Sequence, residues 1–431
     1  MKPTGWLLVR RRRACGKAIE KPGGNICKAA RLPAVLVSTA ALLGGCQSSS
    51  GDDTAAVQMA VDRGGIVKFP SGTYMLSKTV VIRNSNTIIQ GSGPQTVFVY
   101  NPSSIRTHCK NDRAFTTPCD VSENPVRQIL GQIAAGDTAF KANEDASDLH
   151  QGDWLIVTER DAKVDSFVTI DWARVESTDG QLVTLQIPFR TSFPNSHAWI
   201  AGKAGLGFRR MPQVVEGTQF RDFSIRVPQG GLGSFAPGIS IFAALHTLVD
   251  NVIVDDYVAQ PLYSYLSKDV TIINSSGLGH SVLNEFAATV DLTLENNIFG
   301  NNDGPALGLN LGTAFFSVTD NTLPVSRNIG LYLMLGVHDG FVSGNMIAHV
   351  ASSSDSTGIL AWGTQNVQII DNYLEGGDGL KSLGISVRNS QSLADVSIPS
   401  IGNLFEPNEF GAGWYSDYDP GNAAQTLAKS P

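Results

Sequence analysis

The chain has 431 residues, with 32 basic and 39 acidic side chains, a net charge of −7 and only 16% charged residues. An acidic balance of this kind argues against a nucleic-acid partner, which would call for a basic footprint. Glycine, at 44 residues, exceeds its usual share of about 7%, so the composition suits a fold made of frequent tight turns.

The first 45 residues read as an address. Lys28 and Arg31 precede an apolar run, Leu32 to Leu43, that is too short to span a bilayer. The run ends in Leu43-Gly44-Gly45-Cys46, which resembles the lipobox of bacterial lipoproteins. That resemblance implies a signal peptide at 1–45, lipidation of Cys46 and a tether at 46–53 beginning Gln47-Ser-Ser-Ser. It also implies a lipid-anchored place in the bacterial cell envelope, at the outer membrane because position 47 is not Asp. Removing 1–45 strips nine basic residues and one acidic residue, which moves the net charge from −7 to about −15. Arg10 to Arg13 make a long basic region without a convincing twin-arginine motif.

From Thr54 the pattern Ala56, Val57, Ala60, Val61 has helical spacing and stops at Gly64-Gly65. It predicts a short helix that caps the open end of a solenoid. Three strands follow, Ile66-Val-Lys-Phe-Pro-Ser-Gly-Thr-Tyr-Met-Leu, Thr79-Val-Val-Ile and Thr87-Ile-Ile-Gln-Gly-Ser-Gly, split by Gly and Asn turns. The runs Ala55-Ala-Val-Gln-Met-Ala-Val, Gly64-Gly-Ile-Val-Lys-Phe-Pro-Ser-Gly-Thr-Tyr and Gly91-Ser-Gly resemble the entry segment of the pectate lyase superfamily. The resemblance covers about 45 residues and implies a right-handed parallel β-helix, the fold of polygalacturonases, rhamnogalacturonases, epimerase-like proteins and phage tailspikes. It is specific for fold and weak for reaction, and assigns residues 54–100 to the cap and first coils.

Residues 101–216 break this rhythm and read as a small β-rich insertion, with Thr178-Asp-Gly as a hairpin signal. Its Cys109 and Cys119 are expected to pair as a disulfide in an oxidising compartment. Its aromatics Trp154, Phe167, Trp172, Phe189, Phe193 and Trp199 are expected mainly to form the insertion's own core, with a sugar platform as the other use.

The main solenoid is expected at 217–406. Asparagines close successive β-rich runs at Asn251, Asn274, Asn297, Asn321, Asn345, Asn372 and Asn403, at intervals of 23, 23, 24, 24, 27 and 31 residues. A period in the low twenties without a helical stripe or a leucine-rich framework signals a parallel β-helix with coils of about 23–27 residues. Stacked asparagines then form a turn ladder, because their side chains tolerate left-handed turns and bond their copies one coil away. A second β-prone run lies upstream of most of them, as in Gly238-Ile-Ser-Ile-Phe, Gly330-Leu-Tyr-Leu-Met and Gly358-Ile-Leu-Ala-Trp. Residues 407–431 form a Gly, Pro and Asp-rich tail.

Chemistry on such a fold comes from residues one repeat apart. One charged column, His246, Lys268 with Asp269, Asp291, and His338 with Asp339, lies between the two strands of each repeat. Another follows the asparagines: Asp255-Asp256-Tyr257, Gly279-His280 with Asn284 and Glu285, and Asn301-Asn302-Asp303. Asp255-Asp256 followed by His280 resembles the polygalacturonase arrangement of an Asp pair and a Gly-His-Gly histidine. The family's first acid would fall near Ser234, its Arg-Ile-Lys motif near Ala314-Phe315-Phe316, and its second glycine is Ser281 here. Paired carboxylates suit hydrolysis, one protonating the leaving oxygen and the other activating water. A lyase needs a base and a cation to neutralise a uronate, for which Lys268, Tyr263, Tyr265, His280 and Arg327 are available.

These readings nominate Asp255, Asp256, His280, Glu285 and Lys268 as catalytic, and Tyr257, Tyr263, Tyr265, Asn302 and Asp303 as substrate-binding. No metal site is assigned, although acidic side chains at 255, 256 and 303 suit calcium. The sequence thus reads as a carbohydrate-active surface protein that binds, and cleaves or modifies, a polysaccharide. Its rival is a non-catalytic glycan-binding or structural β-helix protein, since fold does not fix function. Carboxylates and a base converging in one groove would favour the first, and an aromatic strip with scattered charges the second. Oligomeric state is not legible.

Overall fold

The computed structural model describes residues 51–102, 113–118, 125–161, 166–194, 205–228, 237–256, 260–279, 283–301, 304–348, 350–351, 356–375, 383–391, 397–411 and 416–419. Nearly all of it is β, wound as a parallel solenoid of about 11 turns with one short helix. This is the parallel β-helix that the repeats imply.

Each rung of the main solenoid contributes to three parallel sheets. Sheet I stacks Pro237–Phe242 on the first part of Gln260–Ile273, then on Asn284–Glu295, Leu307–Asn310, Ile329–Met334, Thr357–Trp362 and Leu383–Arg388. Sheet II contains Leu248–Asp250, Thr271–Ile273, Thr293–Glu295, Ser317–Thr319, Phe341–Ser343 and Gln368–Ile370 in register. Sheet III stacks Ile253 and Val254 on Ser276–Gly279, Ile298–Asn301, Thr322–Leu323, Met346–Ile347 and Tyr373–Leu374.

Strand side chains alternate in direction, so each sheet turns every second residue into one continuous core. From sheet I the core takes Ile241, Phe286, Leu309, Leu333 and Val387, all at most 1% exposed. The first rungs are filled by aromatics, with Phe98 edge-on to Phe69, Phe115 and Phe223 at 5.0–5.2 Å between ring centres. The helix Thr54–Val61 closes this end by burying Thr54, Val57, Ala60 and Val61. Asp52 anchors the helix, accepting from the Thr54 amide at 3.0 Å and from the Thr54 and Ser77 hydroxyls at 2.6 Å.

The asparagine ladder is real but shifted from the sequence reading. Asn297, Asn321, Asn345 and Asn372 are each 1% exposed. Each accepts on its side-chain oxygen from the backbone amide of the preceding rung, and Asn408 continues the series below Asn372. Asn251 and Asn274 sit one position earlier, at exposed left-handed corners with φ near 54° and 52°. Their column continues through Asn296, Asp320 and Asp371. Asn403 belongs to another column, bonding the Val367 amide at 2.9 Å. The repeat alone could not separate two adjacent positions that both favour asparagine, one for its turn conformation and one for its buried bonds.

The insertion is a closed antiparallel barrel of six strands. They run around it in the order Ser166–Asp179, Leu182–Leu185, Ala139–Ala142, Arg127–Leu130, Leu206–Met211 and Trp154–Asp161. Its core includes Phe140, Phe189, Phe193 and Phe208. Phe115–Thr116 pairs with solenoid strands on both sides, so these residues form part of a rung rather than of the barrel.

The barrel docks on the corner between sheets I and II. Ile156, Ile170, Trp172 and Met211 from the barrel meet Ala243, Leu245, Leu266, Ala288 and Val290 from the solenoid. Two glycines of this corner have no room for a side chain. A Cβ on Gly336 would lie 2.2 Å from the Val168 carbonyl, one on Gly312 would lie 3.0 Å from the Thr169 nitrogen, and both have φ near 75°.

Candidate functional site

The outward side of sheet I carries two rows of side chains along the solenoid, most of them buried or half-buried. One row runs Ser240, Tyr263, Glu285, Gly308, Tyr332, Leu360 and Ser386. The other contains Phe242, Tyr265, Ala287 and Asn310, and further down Met334, Trp362 and Arg388. Rungs are spaced about 4.8 Å apart, so Tyr263 and Tyr332, three rungs apart, are separated by about 14 Å.

Aromatic rings cluster at both ends of this span. Tyr263 and Tyr265 are stacked at 6.3 Å with an interplanar angle of 11°, and Phe242 packs on both. Tyr332 and Trp362 lie 6.4 Å apart, and the Trp362 indole donates to the Asn389 carbonyl at 2.8 Å. Between the clusters the floor is polar or small: Glu285, Ala287, Gly308 and Asn310. Glu285 accepts from the Gln260 amide at 2.8 Å and from the Asn310 amide at 2.6 Å, which orients its carboxylate within the strip.

The tyrosines are kept neutral. Burial, with Glu285 and Tyr265 nearby, pushes the Tyr263 hydroxyl well above the usual phenol range. Burial also raises Tyr265, against the opposing pull of Arg160 and Arg209, and raises Tyr332 to about 12. A phenol with a raised pKa stays protonated at neutral pH. It can donate a hydrogen bond or stack, but it is a poor proton acceptor.

The barrel forms the wall beside the upper cluster. Phe167 lies 6.4 Å from Tyr265, the Arg160 guanidinium covers Phe167 at 5.4 Å, and Arg113 covers Phe242 at 4.8 Å. Trp154 ties the barrel to the solenoid by donating to Glu216 at 3.0 Å.

Of the nominated residues, the structure brings Tyr263, Tyr265 and Glu285 together in this strip. Lys268 is elsewhere, in the I–II corner, paired with Asp291 at 2.6 Å. Asp291 also takes Arg190 of the barrel, whose guanidinium lies 3.8 Å above the Phe315 ring. Asp255 is half-buried on sheet III, beside Arg226 of the neighbouring rung. The Asp256 side chain, Tyr257, His280, Asn302 and Asp303 lie outside the described residues, as do Cys46, Cys109, Cys119 and Trp199. Gln260 follows Asp256 by four residues, a span of at most about 14 Å, so the segment carrying Asp255 and Asp256 enters sheet I near Glu285. Arg327 is exposed, in a separate two-stranded pairing with Ala351. Among the described residues no group of three or more His, Cys, Asp or Glu side chains is placed to hold a metal ion.

The alternating charged column has a conformational explanation. His246, Asp269, Asp291, Phe315, Asp339 and Asn366 all have φ between 52° and 58° or so, one below another at the same corner. Asn, Asp and His are the residues that tolerate this region best. His246 bonds Asp269 at 2.6 Å and His338 bonds Asp339 at 2.8 Å, so the column is wired to itself.

Sequence reading missed Phe242, Asn310, Tyr332, Trp362 and the barrel arginines. Phe242, Tyr332 and Trp362 had a signal. Gly238, Gly330, Gly358 and Gly384 open equivalent strands, and the outward side chains stand two and four places later, at Phe242, Tyr332, Met334, Leu360, Trp362 and Arg388. The arginines had none, because only the docking of the barrel brings them to sheet I.

No protein-family model matches the chain, and no curated protein matches it. Among solved structures it resembles PfbA, a surface adhesin of Streptococcus pneumoniae, at a TM-score of 0.53 and 15% identity over 89% of this chain and 78% of that one. The tailspike gp49 of Pseudomonas phage LKA1 aligns at 0.40 and 12% identity, covering 85% and 77%. The tailspike Gp54 of the Acinetobacter baumannii bacteriophage AP22, solved with a capsular saccharide of A. baumannii, aligns at 0.35 and 11% identity, covering 88% and 76%. Similarity at these identities concerns the fold.

Proposed function

We propose that this chain binds a polysaccharide along the outward side of sheet I, with the glycan lying parallel to the solenoid axis. The observation that carries this is the pair of aromatic clusters, Phe242-Tyr263-Tyr265 and Tyr332-Trp362, held three rungs apart over a small, polar floor. Aromatic faces stack on the apolar faces of sugar rings, while Glu285 and Asn310 offer partners to hydroxyl groups.

Cleavage or modification is the second reading, favoured by a carboxylate, Glu285, in the middle of the strip. Hydrolysis would place a second carboxyl group about 5 to 9.5 Å from it, for which Asp255 and Asp256 are the nominees, with His280 nominated alongside them as a base. Lys268, tied to Asp291 in another corner, has no part in this version, and the neutral tyrosines are poor bases for a lyase. The resemblance to the pectate lyase superfamily supports either reading. We further infer attachment to the bacterial outer membrane through a lipid on Cys46, supported by the Leu43-Gly44-Gly45-Cys46 motif.

Titration of the protein against a panel of plant, algal and bacterial glycans tests the proposal. Trp362→Ala and Tyr263→Ala are each expected to weaken binding about tenfold, the scale of one stacked ring, measured below the lowered melting temperature of each variant, where circular dichroism shows it folded. A panel with no binder, or binding indifferent to both variants, rejects sheet I as the site. Release of reducing ends or of unsaturated uronates that is lost in Glu285→Gln would establish the catalytic version.

A further inference from the structure

Of the residues in the two outward rows of sheet I, only Glu285 and Arg388 are charged, and they stand four rungs apart, about 19 Å at the rung spacing of a β-solenoid. Glu285 is half-buried. Its two oxygens each accept from one neutral amide, Gln260 at 2.8 Å and Asn310 at 2.6 Å, and no cation among the described residues is paired with it. Arg113 and Arg160, the guanidinium groups beside this cluster, cover the Phe242 and Phe167 rings instead. The segments leading into this strand and its two neighbours, 257–259, 280–282 and 302–303, contain one histidine, His280, and neither lysine nor arginine.

We propose that the sugar seated over Glu285 carries a protonated amino group, so that the glycan bound on sheet I contains unacetylated amino sugars. This deepens the glycan-binding reading above and rests on it. A carboxylate drawn partly out of water and given only neutral donors gains most from a cationic partner. An ammonium group offers three N–H donors, and each Glu285 oxygen keeps room for a further bond beside its amide. The flanking rings suit the same charge. Tyr263 stands in register with Glu285 on the adjacent rung, and Tyr265 follows two places on. Burial foremost, with the Glu285 charge adding to it, raises the pKa of both phenols, so they face a ligand as neutral rings. The π faces of such rings attract an ammonium ion. A uronate or a sulfate ester in the same place would meet a like charge.

The rungs below Glu285 add no second charge. Gly308 comes next, where a Cβ would lie 2.1 Å from Leu283, and Tyr332 follows it. The rings at the two ends of the strip therefore fix that a sugar chain lies along it, and Glu285 fixes which sugar. The net charge of −7 adds a background field that favours cationic ligands over anionic ones.

Calorimetric titration of the full chain with three oligosaccharides of one linkage and one length provides the test: a glucose oligomer, its N-acetylglucosamine counterpart and the fully de-N-acetylated glucosamine form. At mildly acidic pH, where the sugar amine is protonated, the glucosamine form is expected to bind at least about tenfold more tightly than the other two, and this ratio should shrink as salt rises. Glu285→Gln should bring the ratio close to one whatever it does to the uncharged ligands, and Glu285→Asp, which keeps the charge on a shorter stem, should retain part of it. Trp362→Ala should weaken all three ligands alike and leave the ratio standing. Circular dichroism establishes that each variant is folded. Equal binding of the three forms, tighter binding of an uncharged one, or a ratio that survives Glu285→Gln overturns the amino-sugar assignment while leaving the sheet I site standing. Binding of none of the three overturns it as well, and the wider glycan panel then decides on sheet I by itself.

Discussion

Two corners of each rung solve the same problem in different ways. Between sheets II and III the chain repeats one device: Asn297, Asn321, Asn345 and Asn372, all buried, each bond an amide and a carbonyl of the rung before and the side chain of the asparagine after, and half-buried Asn408 continues the series below them. Between sheets I and II the residues change at almost every rung: Ala243, Leu266, Ala288, Leu311 and Leu335 in one column, His246, Asp269, Asp291, Phe315 and Asp339 in the next. The first corner meets only copies of itself, so one residue type suits every rung. The second must also meet a barrel whose surface has no such period, and each rung is shaped to the part it touches. Periodicity therefore marks where the solenoid serves itself, and its loss marks where something docks.

That difference can be pressed experimentally. Asn345→Ala should cost the most, about 3 kcal/mol, because it strips the Asn321 amide and the Val318 carbonyl of partners in a buried setting. Asn274→Ala, at the exposed neighbouring column, should cost less than about 1 kcal/mol, and urea unfolding midpoints separate the two. Equal losses would mean that the buried ladder is not what joins the rungs. Gly336→Ala comes next, at about 2 kcal/mol or more, since it combines a left-handed backbone with a collision against the Val168 carbonyl. Gly344→Ala, where the close atom is the Asp320 carboxylate and can swing aside, should cost about 1 kcal/mol. Hydrogen exchange across Val168–Ile170 should quicken in the first variant and not in the second.

The smallest effect concerns the capped end. Burial works to raise the Asp52 carboxyl, but hydrogen bonds from Ser77 and Thr54 outweigh it and hold the pKa at about 2. A folded-state value below the unfolded 3.8 means that the contribution is fully present above about pH 4 and fades as pH falls through 2. The acid-unfolding curve of Asp52→Asn should therefore converge on that of the parent protein at the low end of this window. A constant offset down to pH 2 would exclude this titration.

The repeat of Asn-closed runs was enough to read the solenoid, because stacking in register requires similar residues at similar intervals. The cap helix from Thr54 was equally readable from local apolar spacing, whereas of the aromatics expected in the insertion's core only Phe189 and Phe193 lie there, and Trp154, Phe167 and Trp172 pack where the barrel meets the solenoid. The phase of the ladder was not, since Asn251 and Asn297 satisfy the same local rule for different physical reasons. Nor was the outward strip of sheet I assembled in the sequence: Tyr263, Glu285, Tyr332 and Trp362 become one surface only when rungs align. Arg160 and Arg209 are more distant still, on strands of a barrel that reaches sheet I through apolar contacts at the corner. Short-range periodicity thus dictated the winding of the chain, whereas the candidate site arose from register and docking, which depend on contacts between residues far apart in the chain.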